Sequence, residues 1–260
     1  MKNTISQLTL VILAAVGAGL SHAAADDLTV VENLTTNGKP GGTETRYISS
    51  EHFRTSRPDG MGMIIDMKTG VMMNIDGKNK TYFEVTKQDL QDMQAMFAER
   101  MKDPKMKQAM AMMKGMAAEM SSSTEVKKTG VTRKVAGFAC DEWLITMSSM
   151  MSITECVTGD IKYPVESLQA AAEFSESMRK SMTFGPGSKS SSDYAEKMKS
   201  IKGFPVASST TVDAGITKTT TAMEVTEVRH ESLPASTWDA PAGFRKVENP
   251  MLKSLQGHGR

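Results

Sequence analysis

The chain has 260 residues, with 31 Lys+Arg against 30 Asp+Glu, two Cys, four His and 23 Met. An apolar fraction of 39% is enough for a folded core, and the near balance of charge leaves no general attraction for nucleic acid or an anionic membrane. So few Cys and His leave little for a zinc site built from those residues, and methionine is the outlier that any account of the chain must place.

Residues 1–23 read as a secretory signal peptide, with a charged start at Lys2, an apolar run from Leu8 to Leu20, and small residues at Ser21 and Ala23. The run is short for a membrane span, and no later stretch approaches the ~20 apolar residues a transmembrane helix needs. The expectation is a secreted chain with no transmembrane anchor, periplasmic if the protein is bacterial. A single domain then covers 24–248, and 249–260 reads as a flexible tail.

From Leu28 to Thr86 short runs rich in Val, Ile, Thr, Met and Tyr alternate with turn chemistry at Asn37-Gly38, Pro58-Asp59-Gly60, Lys68-Thr69-Gly70 and Asp76-Gly77. This predicts strands near 28–35, 43–49, 51–57, 61–66, 71–75 and 80–85, joined as hairpins in an antiparallel meander. Thr86 and Asp89 then offer N-terminal capping for a helix carrying Leu90, Met93, Phe97 and Met101 at helical spacing. Pro104 ends that helix and starts a second, in which Met106, Met110, Met113, Ala117 and Met120 line one side; the two helices make a Met-rich insertion over 87–120.

Strands resume near 125–134, 138–147 and 151–158. Cys140 and Cys156 fall on the last two, across from each other or within about two residues of that register, so a disulfide closing the hairpin is expected. Pro164 begins a helix through Met182, a Gly/Ser-rich loop covers 184–192, a short helix spans 193–201, and two long strands follow at 204–212 and 217–230. The expected class is α+β, a curved antiparallel sheet with helices covering its concave face.

Compact catalytic motifs are missing: there is no Gly-x-Ser-x-Gly, no His-Glu-x-x-His and no Cys-x-x-Cys. Gly185-Pro186-Gly187-Ser188-Lys189-Ser190 lacks the glycine directly before the lysine of a phosphate loop and follows a helix rather than a strand, so it reads as a linker. His52 and His230 read as structural or surface side chains. The expectation is a protein that is not an enzyme, with no catalytic residues and no cofactor.

Three readings compete for the methionines. They fill the core, because an unbranched thioether packs irregular gaps. They form an adaptable apolar surface, with Met93, Phe97, Met106, Met110, Met113 and Met120 lining a site for a lipid or a lipoprotein acyl chain. Or Met110, Met112, Met113 and Met116, with Met61-x-Met63, hold Cu(I), which thioethers prefer. A fourth possibility is a structural or interaction module that meets another envelope protein.

The order of short motifs resembles a secreted bacterial family, domain of unknown function forty-four-twelve. In the front half these are Thr43-Glu44-Thr45-Arg46-Tyr47-Ile48-Ser49, Phe53-Arg54, Met63-Ile64-Ile65-Asp66 with Gly70, and Asp76 to Tyr82. The back half adds Val135 to Cys140, Gly203-Phe204-Pro205-Val206, Met223 to Val228, and Leu233-Pro234 with Pro241 to Phe244. The resemblance implies a fold similar to periplasmic lipoprotein carriers, an incomplete β-barrel closed by helices, with no established activity. Cys156, where the family pattern has an aromatic residue, and the Met-rich insertion depart from it.

Overall fold

The computed structural model describes residues 27–100, 102–104, 108, 111, 124–147, 150–164, 197–198, 200–213 and 215–257. Six strands open the chain: β1 (Leu28–Thr36), β2 (Lys39–Ile48), β3 (His52–Ser56), β4 (Gly62–Asp66), β5 (Val71–Asp76) and β6 (Thr81–Val85). Each pairs antiparallel with the next, as the alternation and turn residues predict. The turns pack tightly, since a Cβ on Gly77 would lie 2.4 Å from the Asp59 carbonyl oxygen of the neighbouring turn.

Helix α1 (Lys87–Arg100) follows. Its capping box is reciprocal: Asp89 N–H donates to Thr86 Oγ1 at 3.1 Å, and Thr86 N–H donates to Asp89 Oδ2 at 2.7 Å. A second meander contains β7 (Glu125–Val135), β8 (Phe138–Met147), β9 (Met151–Thr158), β10 (Phe204–Asp213) and β11 (Lys218–His230). A 3-10 turn at Ala235–Trp238, the two-residue β12 (Arg245–Lys246) and helix α2 (Pro250–Gly257) complete the described elements.

All twelve strands form one sheet in the order β12-β6-β5-β4-β3-β2-β1-β11-β10-β9-β8-β7. Two meanders are thus welded where β1 pairs antiparallel with β11. Register shifts interrupt β1 against both neighbours, β10 against β9, and β7 against β8, and each adds local twist. At the β7 end the sheet bends back on itself. Four strand spacings separate β7 from β11, about 19 Å in a flat sheet, yet some of their Cα atoms lie within 8 Å and Arg133 Nη1 reaches Glu224 Oε2 at 3.5 Å.

This architecture corrects the expected fold class. Instead of an α+β fold or an incomplete barrel with helices laid over a concave face, the described residues form one open twelve-stranded sheet with two short helices. Helix α1 makes a poor cover, because among its described side chains Leu90 alone is buried. The helix expected over 104–120, the one over 164–182 and the 184–192 loop fall largely outside the described residues. The tail differs as well: Asn249, 6% exposed, caps α2 by accepting the Met251 N–H at 3.0 Å, and Pro250 occupies the first helical position, where its missing N–H costs nothing.

Buried side chains of both meanders share one core, with Leu28, Val30 and Ile48 from the first and Val135, Phe204, Val206 and Val225 from the second. The expected disulfide is present: Cys140 and Cys156 are bonded with their Cα atoms 5.3 Å apart and both side chains in this core. In the ladder Cys156 faces Glu142, so the bond runs diagonally across the β8–β9 pair. Because it closes a short loop, replacing both cysteines by serine is expected to lower unfolding free energy by about 3 kcal/mol. A urea titration giving an unchanged midpoint would contradict that role.

Candidate functional site

Period-2 alternation carried across the ladders puts two long rows of side chains on one face of the first meander. One row is wholly apolar: Leu28, Ile48, Phe53, Ile65, Met72 and Val85, one residue from each of six strands. The next is Val30, Arg46, Thr55, Met63, Asn74 and Phe83. Leu28, Ile48 and Val85 are buried, whereas Phe53, Ile65, Met72, Met63 and Phe83 are half-buried.

The same face continues through the weld onto the second meander. Leu34 faces Met223, which faces Ser208, then Glu155, then Trp143. Beside that row run Thr210, Ile153 and Ile145, then Val212, Met151 and Met147. The arrangement is a broad, largely apolar surface interrupted by Thr55, Asn74, Ser208 and Thr210 and by the charged Arg46 and Glu155.

Those charges gather beside the weld. Glu32 follows Leu28 and Val30 in the inward alternation and is completely buried, and its Oε1 accepts a hydrogen bond from Arg46 Nη2. The Arg46 guanidinium lies 5.7 Å from the Phe204 ring centroid, close enough for a cation–π contact. Tyr163 packs on Phe204 with ring centroids 4.8 Å apart. Glu32 Oε2 and Arg46 Nε are buried without a hydrogen-bond partner, so this ion pair is costly to desolvate.

Burial dominates the electrostatics of the cluster. It lowers the Arg46 pKa, opposed by Tyr163, and raises that of Tyr163, opposed by Arg46 and reinforced by Glu155. It also raises Glu155, and raises Glu44 against the pull of Arg57. Among the described residues no group of three or more His, Cys, Asp or Glu is arranged to hold a metal ion.

The site residues expected from sequence are only partly placed. Met93 is half-buried on α1, and Phe97 is on the same helix with its side chain outside what is described. Met106, Met110, Met112, Met113, Met116 and Met120 lie outside the described residues. Of the Met61-x-Met63 pair, Met61 is exposed in a turn and Met63 is half-buried on β4. Sequence reasoning passed over Glu32, Arg46, Glu155, Tyr163 and Phe204. Glu32 was legible, because a carboxylate at an inward position of Leu28-x-Val30-x-Glu32-x-Leu34 demands a buried partner.

Two measurements test the cluster. Glu32→Ala, which strands the Arg46 charge, is expected to cost about 3–5 kcal/mol, whereas Glu32→Leu with Arg46→Met should recover most of that loss; a single variant within about 1 kcal/mol of the parent chain would refute it. The raised Glu155 pKa means the folded state holds its proton more tightly than the unfolded chain. Its stabilising contribution is therefore full below the ordinary glutamate value and lost as pH rises through the raised one. Glu155→Gln should flatten stability across that window in urea midpoints measured against pH.

No curated protein matches the chain. Among solved structures it is similar to PNGF-II, at 10% identity and a TM-score of 0.39, covering 88% of this chain but 32% of that one, so it spans about a third of that relative. It is similar to an uncharacterized conserved protein from Thermus thermophilus, at 8% identity and a TM-score of 0.42, covering 86% of this chain and 90% of that one. The Pseudomonas aeruginosa MucA/MucB complex gives 12% identity and a TM-score of 0.40, with 86% of this chain and 60% of that one covered. A family model described as domain of unknown function DUF4412 matches residues 42–244, and the chain belongs to that family.

Proposed function

We propose that the protein is a non-enzymatic binding module of the bacterial envelope that holds an apolar ligand, a lipid or acyl chain, against the continuous apolar face of its sheet. The single observation carrying this reading is the row Leu28, Ile48, Phe53, Ile65, Met72 and Val85 with Met63 and Phe83 beside it, in which Phe53, Ile65, Met72, Met63 and Phe83 are only half-buried. Half-covered Phe, Ile and Met side chains gain when an acyl chain completes their burial, about 0.8 kcal/mol for each methylene removed from water. Methionine suits such a surface because its thioether re-packs around different shapes at little cost.

An extracytoplasmic location fits the Cys140–Cys156 disulfide, which an oxidising compartment maintains, and the signal-peptide reading of residues 1–23. No described helix is long and apolar enough to cross a membrane. The Glu32–Arg46 ion pair and the Arg46–Phe204 contact give these two charges a structural role at the seam, which supports a holding function.

Purified full-length protein is expected to take up a fluorescent fatty acid. Ile65→Asp with Met72→Asp should weaken uptake about tenfold or more, because each carboxylate would be desolvated by the bound chain. Circular dichroism would confirm that the variant keeps its sheet. Parent protein that neither takes up the probe nor carries co-purified lipid in native mass spectrometry would end this reading.

A further inference from the structure

Three exposed apolar side chains gather on neighbouring hairpin tips at one end of the sheet. Ile216 is 97% exposed in the β10–β11 turn, Val212 is 44% exposed where β10 ends, and Met150 is 41% exposed in the β8–β9 turn. The two tips are tied together, with Asp213 N–H donating to the Met150 carbonyl at 2.7 Å and Val212 facing Met151, which faces Met147. The β1–β2 turn joins them through a reciprocal pair: Asn37 N–H donates to the Thr220 carbonyl at 2.7 Å, and Thr220 N–H donates to Asn37 Oδ1 at 2.8 Å.

Isolated exposed apolar residues are ordinary, but three on adjoining tips are not scattered. The β10–β11 tip is held in shape, since Asp213 Oδ1 accepts the Gly215 N–H at 2.9 Å and Gly215 takes φ +82, so Ile216 is presented outward. Lys39 and Lys218 flank these tips and are exposed, while Asp213 is turned into its own loop. Exposed apolar tips with exposed lysines at the adjoining strand ends match an anionic bilayer, where apolar side chains enter the interfacial region and ammonium groups meet lipid phosphates.

We propose that these hairpin tips dock the protein on an anionic lipid bilayer through Ile216, Val212 and Met150, with Lys39 and Lys218 at the headgroups. Val212, Met151 and Met147 stand on the same sheet face as the apolar rows, so the docking point runs directly into that face. This extends the ligand-binding reading to the source of the ligand, although the docking itself does not require that reading.

Co-sedimentation of the full chain with phosphatidylglycerol-containing vesicles tests the surface. The parent protein should pellet with vesicles, and added salt should release part of it. Ile216→Asp with Val212→Asp should reduce partitioning about tenfold or more, while Val131→Asp, an exposed position on β7, should leave it unchanged. Ile216→Asp alone, in the turn beyond the apolar face, should also weaken partitioning yet still take up the fluorescent fatty acid in solution, which separates loss of docking from loss of ligand binding. Parent protein that stays in the supernatant, a tip variant that pellets like the parent, or equal loss in Val131→Asp would overturn the proposal, and a patch that instead captured a protein would give the first of these results.

Discussion

Everything in this sheet depends on the antiparallel ladder between β1 and β11. These strands come from opposite ends of the chain, Leu28 pairing with His230 and Thr36 with Thr221, and among the described residues theirs is the strand pairing that joins the two meanders. In the first meander each strand joins the next through a short turn at little loop-closure cost, whereas residues 159–203 separate β9 from β10 and the weld closes a loop of nearly the whole domain. Stability at the weld must therefore come from what it buries. Leu28, Val30, Val225, Val206 and Phe204, each worth about 1.5–3 kcal/mol when fully covered, sit there, and apart from Val225 all are completely inaccessible.

A charged pair at the same seam looks at first like a defect. Glu32 and Arg46 are removed from water with Glu32 Oε2 and Arg46 Nε unpaired, and such a pair contributes little net stability against an apolar replacement. Its effect is on register. A slip of one residue along β1 would turn Glu32 to the opposite face and leave Arg46 buried against Phe204 and Tyr163 without its carboxylate. Since β1 carries bulges against both neighbours, where apolar contacts tolerate adjustment, a charge pair that works in one alignment makes the others expensive.

The parts legible in sequence were those decided locally. Alternation and turn residues placed eleven of the strands within a few residues, the Thr86–Asp89 box marked the start of α1, and the cysteines fell on adjacent strands. Long-range decisions were not legible. Nothing local says that β1 chooses β11, or that β12 lies parallel beside β6 through Arg245 and Lys246. At the C-terminal end Asn249-Pro250 is itself a local helix start, and α2 follows it. Glu32 was legible in the same local way, since it holds its place in the inward alternation of β1 as plainly as Leu28 does.

Methionine nevertheless has a physical place on the sheet. Met63 and Met72 in the first meander, and Met223, Met151 and Met147 in the second, occupy the half-covered margins of the apolar face, while the fully buried seam is filled by Leu28, Val30, Val225 and Phe204. Branched and aromatic side chains specify a single packing and belong where register must be fixed. Unbranched thioethers tolerate several packings and belong where the partner changes. The sheet is thus filled by side chains of fixed shape at its seam and by pliable ones at its margins, a division that fixes the alignment of the strands while leaving the outer part of the face free to re-pack.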